Sequence, residues 1–304
     1  MDPDEPSGAA ASVDGDASDD QRRPRETGKT IAAEGEARIE QALKRGAEPP
    51  APTVERALII DAVREAAPVA LAFFRPGRDT SARFWEKPDG SKVTEADIAV
   101  NRALKAHLLS ARPGYGWLSE EEPESHGEGP RREAGRVFVV DPIDGTHAFM
   151  TGDAVFCLSV ALVEEGETIA AAVIAPAMDR LYDAARGAGA RLNGAPPPPR
   201  PAVSDPPRVL ASSRELQAKR WGADGPPPMQ RGYVQPIAHR LCLAGVGEWD
   251  GMVAMKRVQE WDIAAAHLIA AEAGLSVCDR TGGPLRRRQD ARQHRVGLVV
   301  TERT

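Results

Sequence analysis

The run Asp141-Pro142-Ile143-Asp144-Gly145-Thr146 constrains this chain more than any other stretch. It follows Arg136-Val137-Phe138-Val139-Val140, a β-branched and aromatic run with the pattern of a buried strand. Two carboxylates three positions apart are thus delivered from a sheet into a turn that closes on Gly and Thr. With a Pro fixing the backbone between them, they make a site for a hard cation of the Mg²⁺ type. The Gly-Thr step can aim backbone N–H groups at an anion. A cation beside an anion pocket points to phosphate chemistry.

The bulk of the chain is compatible with that reading. At 304 residues and 41% hydrophobic it can bury one large core or two ordinary ones, and 5% aromatic content makes them aliphatic. Cys157, Cys242 and Cys278 are scattered without metal-ligand spacing and read as small core residues of a reducing compartment. No apolar run is long enough to span a membrane, and the acidic start lacks the apolar segment of a secretory signal, so the expected location is cytoplasmic. Residues 1–50 hold 12 Asp+Glu against 7 Lys+Arg, leaving 33 against 32 in the remainder. A nearly neutral body offers no field for a nucleic-acid polymer. An anionic substrate must be captured locally.

Residues 1–52 read as an acidic, Pro-rich disordered tail. Helical spacing begins at Thr53 and runs to Phe73, and Thr94-Glu95-Ala96-Asp97 is a second helix start with Thr94 as N-cap. Strands are expected over 137–141, 155–163, 168–175 and 181–184, with a hairpin turn at 164–167. Gly187, Gly189 and Gly194 mark a loop, and Pro196–Pro199 a boundary, giving an α+β part over 53–199 and an α/β part over 200–304. In the latter, strands are expected over 208–212, 231–237, 249–255 and 296–301. Helices are expected from Ser213, over 238–245, and over 261–273.

Two further carboxylates belong with Asp141 and Asp144. Glu120 follows the short apolar segment Gly116-Trp117-Leu118 and could reach the same cation, whereas Glu121 and Glu122 read as surface charges. Asp262 opens the alanine-rich helix, where the helix dipole alone would favour an acid.

Taken together, Val93-Thr94-Glu95-Ala96-Asp97, Ser119-Glu120-Glu121, Asp141–Thr146 and Trp261-Asp262-Ile263-Ala264-Ala265 resemble the inositol monophosphatase superfamily of Mg²⁺-dependent, lithium-sensitive phosphatases over residues 53–304. The resemblance implies a layered αβαβα sandwich with the site between two subdomains, and homodimers are common in the family. It implies that Glu120, Asp141 and the Ile143 carbonyl hold a first Mg²⁺, and that Asp141, Asp144 and Asp262 hold a second. Thr146 would orient the attacking water, with Asp97 accepting its hydrogen bond or helping a third, weaker ion. The amides of Gly145 and Thr146 would hold phosphate oxygens.

Monoester hydrolysis needs such a set, because enzymes accelerate this reaction by as much as ~10²¹. One ion lowers the pKa of the nucleophilic water and the other stabilises the leaving oxygen. The substrate is a small phosphorylated metabolite. His147 after Gly145-Thr146, Lys87-Pro88-Asp89-Gly90-Ser91 and Arg240-Leu241-Cys242 resemble the 3′(2′),5′-bisphosphate nucleotidase branch, with His147 and Arg240 as substrate contacts. Ile237-Ala238, in place of serines, and the missing Pro-Arg pair in 253–258 depart from that branch, although Lys256-Arg257 could supply charge for a second phosphate. Inositol-1-monophosphatase and histidinol or sugar phosphatase are the alternatives. A catalytically silent binding protein is a remoter one, opposed by the presence of every metal ligand.

Overall fold

Alternation along the central strands decides the architecture. In the computed structural model, which describes residues 49–304 except 89, 123–133, 222–223, 256, 280–282, 284–293, 296–297 and 303–304, a six-stranded sheet runs in the order β3-β4-β5-β6-β7-β8. Its strands are β3 (Gly116–Ser119), β4 (Arg136–Asp144), β5 (Cys157–Glu164), β6 (Glu167–Ala175), β7 (Arg180–Ala185) and β8 (Ala190–Leu192). The β3–β4 pair is parallel and the other pairs are antiparallel. On β5, Leu158, Val160 and Leu162 face one way and Cys157, Ala161 and Val163 the other, and both sets are buried. Such a sheet needs a helical layer on each face.

The first layer is α1 (Pro52–Phe73) and α2 (Glu95–Ala111), which place Ile59, Val63, Leu104 and Leu108 against Phe138, Val140 and Leu158. Thr94 caps α2 as expected: its hydroxyl accepts from the Asp97 N–H, and the Asp97 carboxylate accepts from the Thr94 N–H. Before α2 stands a short hairpin, β1 (Phe84–Glu86) with β2 (Lys92–Thr94).

The opposite face receives α4 (Ile237–Gly245) and α5 (Glu260–Glu272), whose Leu241, Ile263 and Ile269 meet Val139, Val173 and Tyr182. A five-residue helix, α3 (Thr146–Met150), lies directly after β4. Beyond α4 and α5 is a second sheet, ordered β10-β9-β11-β15-β13. It comprises β9 (Arg208–Leu210), β10 (Gln230–Gly232), β11 (Gly251–Ala254), β13 (Leu275–Cys278) and β15 (Leu298–Glu302), and a separate pair joins β12 (Arg257–Val258) to β14 (His294–Arg295). The result is the layered αβαβα sandwich, with its last layer thin: Val209 and Val253 are covered from outside by Leu216, Trp221 and Met229. Residues 50–304 form one compact unit.

Several local expectations need correction. The Ser213 helix is absent; the chain makes turns there and reaches Pro226–Pro228, which cannot continue a helix, after a single 3₁₀ turn at Ala218–Arg220. The strand expected over 231–237 stops at Gly232, and the glycine loop 187–194 contains β8. Cys157 and Cys242 are buried free thiols and Cys278 is half-buried. The expected tail lies outside the described residues up to position 48, as do Asp89 and Lys256.

Candidate active site

Asp141 and Asp144 would point to opposite faces of a regular strand, since side chains alternate with period two. They do not, because β4 slips register between them: Asp141 pairs with Ser159 and Asp144 with Cys157, so three steps on β4 match two on β5. Pro142 within the slip has no N–H to give to the ladder. The extra residue returns Asp144 to the side of Asp141, the face packed by α4 and α5. Gly145 follows with φ of +93°, a left-handed turn that starts α3 at Thr146.

The neighbouring elements deliver the other acids. Glu120 continues β3 beside β4, its N–H donating to Val140 O at 3.2 Å. Asp262 sits in the first turn of α5 and accepts from the Gln259 N–H at 2.7 Å. Asp97 sits in the first turn of α2, with one carboxylate oxygen 3.5 Å from the Thr146 hydroxyl, which also lies 3.2 Å from Ile143 O. A hydroxyl has one proton, so Thr146 donates to one of these at a time.

Electrostatics identify the centre. Asp141 is 1% exposed, and its Oδ1 is buried with no hydrogen-bond partner. Burial, then the charges of Glu120, Asp144, Asp262 and Asp97, push its carboxyl well above the usual range. Asp97 rises to about 7, from burial first, with the Glu121 and Glu120 charges adding to it against the Thr94 hydrogen bonds. Acids so crowded call for a cation. An orphaned buried oxygen inside an all-oxygen donor set fits Mg²⁺. As placed, no three His, Cys, Asp or Glu side chains among the described residues close on one point. Lys87 explains part of this: its ammonium lies 2.9 Å from both Glu120 and Glu121, so Glu120 leans towards it.

The contact of Lys87 with Glu120 and Glu121 is what sequence reading missed. Local sequence made Glu121 a surface charge, yet its side chain is 4% exposed. Glu122, also read as surface, accepts from Asn101 at 2.7 Å, and Asn101 accepts from Ser119 at 2.6 Å, tying the turn that carries Glu120 to α2. No pattern in a single sequence signals these partners. His147 stands exposed on α3. Arg240, expected as a substrate contact, is 4% exposed, with its guanidinium on Val234 O, Gln235 O and Glu215. These contacts use three of its five N–H donors. The side chain of Arg257 lies outside the described residues, as does Lys256.

Because Lys87 competes for Glu120, Lys87→Met should tighten Mg²⁺ binding by on the order of tenfold, equivalent to about 1.4 kcal/mol. Titration calorimetry on the metal-free protein reads this directly, and weaker binding in the variant would mean that Lys87 helps to assemble the site instead.

A sandwich in which Glu120, Asp144, Asp262 and Asp97 all bear electrostatically on the buried Asp141 carboxyl is the architecture of a metal-dependent phosphatase. The family model of the inositol monophosphatase family matches residues 55–302, and the chain belongs to that family. It is 31% identical over 241 residues to the inositol-1-monophosphatase of Rhizobium meliloti, covering 70% of this chain and 84% of the relative. It is 30% identical over 210 residues to the 3′(2′),5′-bisphosphate nucleotidase CysQ of Escherichia coli, covering 66% and 80%. Among solved structures, the extragenic suppressor protein suhB of Bartonella henselae superposes with a TM-score of 0.65 at 24% identity, covering 81% of this chain and 93% of that one. No helix among the described residues is long and apolar enough to cross a membrane.

Proposed function

We propose that this chain is a Mg²⁺-dependent, lithium-sensitive phosphomonoesterase that hydrolyses a small phosphorylated metabolite with water as nucleophile. The observation that carries the reading is the buried, unpartnered Oδ1 of Asp141 among Glu120, Asp144, Asp262 and Asp97. Glu120, Asp141 and the Ile143 carbonyl would hold one ion, and Asp141, Asp144 and Asp262 a second. Bound there, Mg²⁺ supplies an acidified water and charge neutralisation at the leaving oxygen. The chain does the rest. Thr146 holds the attacking water through its hydroxyl, and Asp97, in reach of that hydroxyl, takes the proton. The Gly145 and Thr146 amides would receive phosphate oxygens.

Within this class the reading favours a 3′(2′),5′-bisphosphate nucleotide, hydrolysed to the 5′-monophosphate. Its support is the Lys87–Ser91 turn, which seats a lysine beside Glu120, and the similarity to the E. coli nucleotidase. Inositol 1-phosphate is the competing substrate, supported by the Rhizobium relative. Phosphate release from adenosine 3′,5′-bisphosphate and inositol 1-phosphate at equal concentration decides between them. A preference of at least tenfold for the nucleotide is expected, and the reverse preference would assign the inositol ester.

Asp97 adds a pH prediction. With its folded value near 7 against 3.8, the group keeps its proton in the fold where the unfolded chain has lost it. Its ionisation therefore costs stability as pH rises from about 4 to about 7. A base must be ionised, so activity should fall below about pH 7 at low Mg²⁺. Bound cations favour the carboxylate, so this acid limb should move to lower pH as Mg²⁺ rises. Rate profiles at two Mg²⁺ concentrations with a fixed acid limb would remove Asp97 from this role.

A further inference from the structure

The internal commitment of Arg240 has its own geometry. Its Nε donates to Val234 O, its Nη2 to Gln235 O at 3.1 Å, and its Nη1 lies 3.4 Å from Glu215 Oε2. The guanidinium stacks 5.1 Å from the centre of the Tyr233 ring. Glu215, 5% exposed, is itself anchored by the Ser212 N–H at 2.6 Å. One planar fork thereby fixes three consecutive residues, 233–235, to the turn at 212–215.

The chain just beyond this fork reaches the carboxylate cluster twice. Pro236 packs on the left-handed turn after Asp144, so close that a Cβ built on Gly145 would stand 2.6 Å from Pro236 Cγ. Two residues on, the Ala238 N–H donates to Asp144 Oδ2 at 2.8 Å. Asp144 and Gly145 belong to the large sheet and its turn, whereas 212–215 follows β9 and 233–236 joins β10 to α4.

We propose that Arg240 and Glu215 are a positioning pair: they clamp residues 233–236 so that Pro236 and the Ala238 amide set the Asp144 carboxylate for cation binding. The proposal rests on the reading of Asp144 as a metal ligand. Neither residue touches substrate. The clamp needs a planar fork with several donors, which a lysine ammonium cannot match in reach or geometry. Breaking it also leaves a buried charge on the remaining partner.

The test uses the full chain stripped of metal and follows Mn²⁺ binding by electron paramagnetic resonance without substrate, with thermal unfolding in parallel. Arg240→Ala, Arg240→Lys and Glu215→Gln should each bind Mn²⁺ about tenfold more weakly than the parent, the scale of a lost outer partner of a metal ligand. Arg240→Lys should fail to restore affinity although it keeps the charge. Asp250→Asn is the control. Asp250 accepts from the Arg208 N–H at 2.8 Å, in the same sheet but without a link to Asp144. It should lower the melting temperature and leave Mn²⁺ affinity unchanged. If Arg240→Ala does not fold, the two conservative variants still decide. Affinities within twofold of the parent in both would overturn the clamp while leaving the metal site standing. A parent chain that binds no Mn²⁺ would overturn the metal reading and the clamp with it.

Discussion

Asp141→Asn should lose about 10³-fold in phosphate release, the equivalent of about 4 kcal/mol of transition-state stabilisation from metal ions it no longer holds. The same variant should be more stable than the parent when both are metal-free at pH 8. The sign comes from linkage. The Asp141 carboxyl is raised by burial and by its acidic neighbours, so its ionised form opposes folding, and stability falls as pH rises through the raised value. An amide of the same shape removes that charge. A gain of about 1 kcal/mol would raise the melting temperature by roughly 2–4 °C in a chain of this size. Mg²⁺ should then stabilise the parent and leave the variant where it was. A phosphate-release assay checks the first statement, and scanning calorimetry with and without Mg²⁺ checks the two on stability. A variant that melts lower than the metal-free parent would mean that the carboxylate has a partner inside the protein.

Gly145→Ala should be the most damaging change of a single methyl group in the site. The residue has φ of +93°, and the new Cβ would lie 2.6 Å from Pro236 Cγ and 3.4 Å from Val155 O. Left-handed backbone costs an alanine about 1–2 kcal/mol, and overpacking adds about 1–3 kcal/mol. Together they amount to about 3 kcal/mol, a melting-temperature loss on the order of 10 °C. Activity should fall with it, because Pro236 cannot retreat without moving the amide that holds Asp144. Gly187→Ala separates the two effects: φ is +73°, but nothing lies within 4 Å of the added carbon. Its loss should be about half as large. Equal melting temperatures for the two variants would show that the Pro236 contact exerts no force.

Much of this was legible before the fold, for reasons that differ by residue. Asp141, Asp144 and Thr146 lie within six positions of one another, and a buried strand running into Gly-Thr is a local signal. Thr94 and Asp97 were legible because a capping box is written in four consecutive residues. The central strands were legible from their apolar runs, and α5 from its alanines. Long-range partners were not. Glu121 reads as one of two surface glutamates beside Glu120 until Lys87, from a hairpin 34 residues earlier, is seen to cover it. Arg240 reads as a substrate contact, and no sequence pattern shows the Glu215 carboxylate and two carbonyls found around it. The Ser213 helix failed for a related reason. The Ser212–Glu215 capping signal is present, with the Ser212 N–H on Glu215 at 2.6 Å, but Glu215 also faces Arg240 and the chain turns away. The register slip in β4 is the clearest case: Pro142 hints at it, yet only the pairing with β5 shows that both aspartates end on one face.

The most direct test of a cation-driven phosphatase is a Mg²⁺ titration of the EDTA-treated full chain, with phosphate release monitored on adenosine 3′,5′-bisphosphate, inositol 1-phosphate and a generic aryl phosphate. Without metal there should be no release above background, then a saturable rise with Mg²⁺ on at least one ester that Asp141→Asn does not show. Hydrolysis that is indifferent to Mg²⁺, or no hydrolysis of any of the three at any Mg²⁺ concentration, would contradict the assignment.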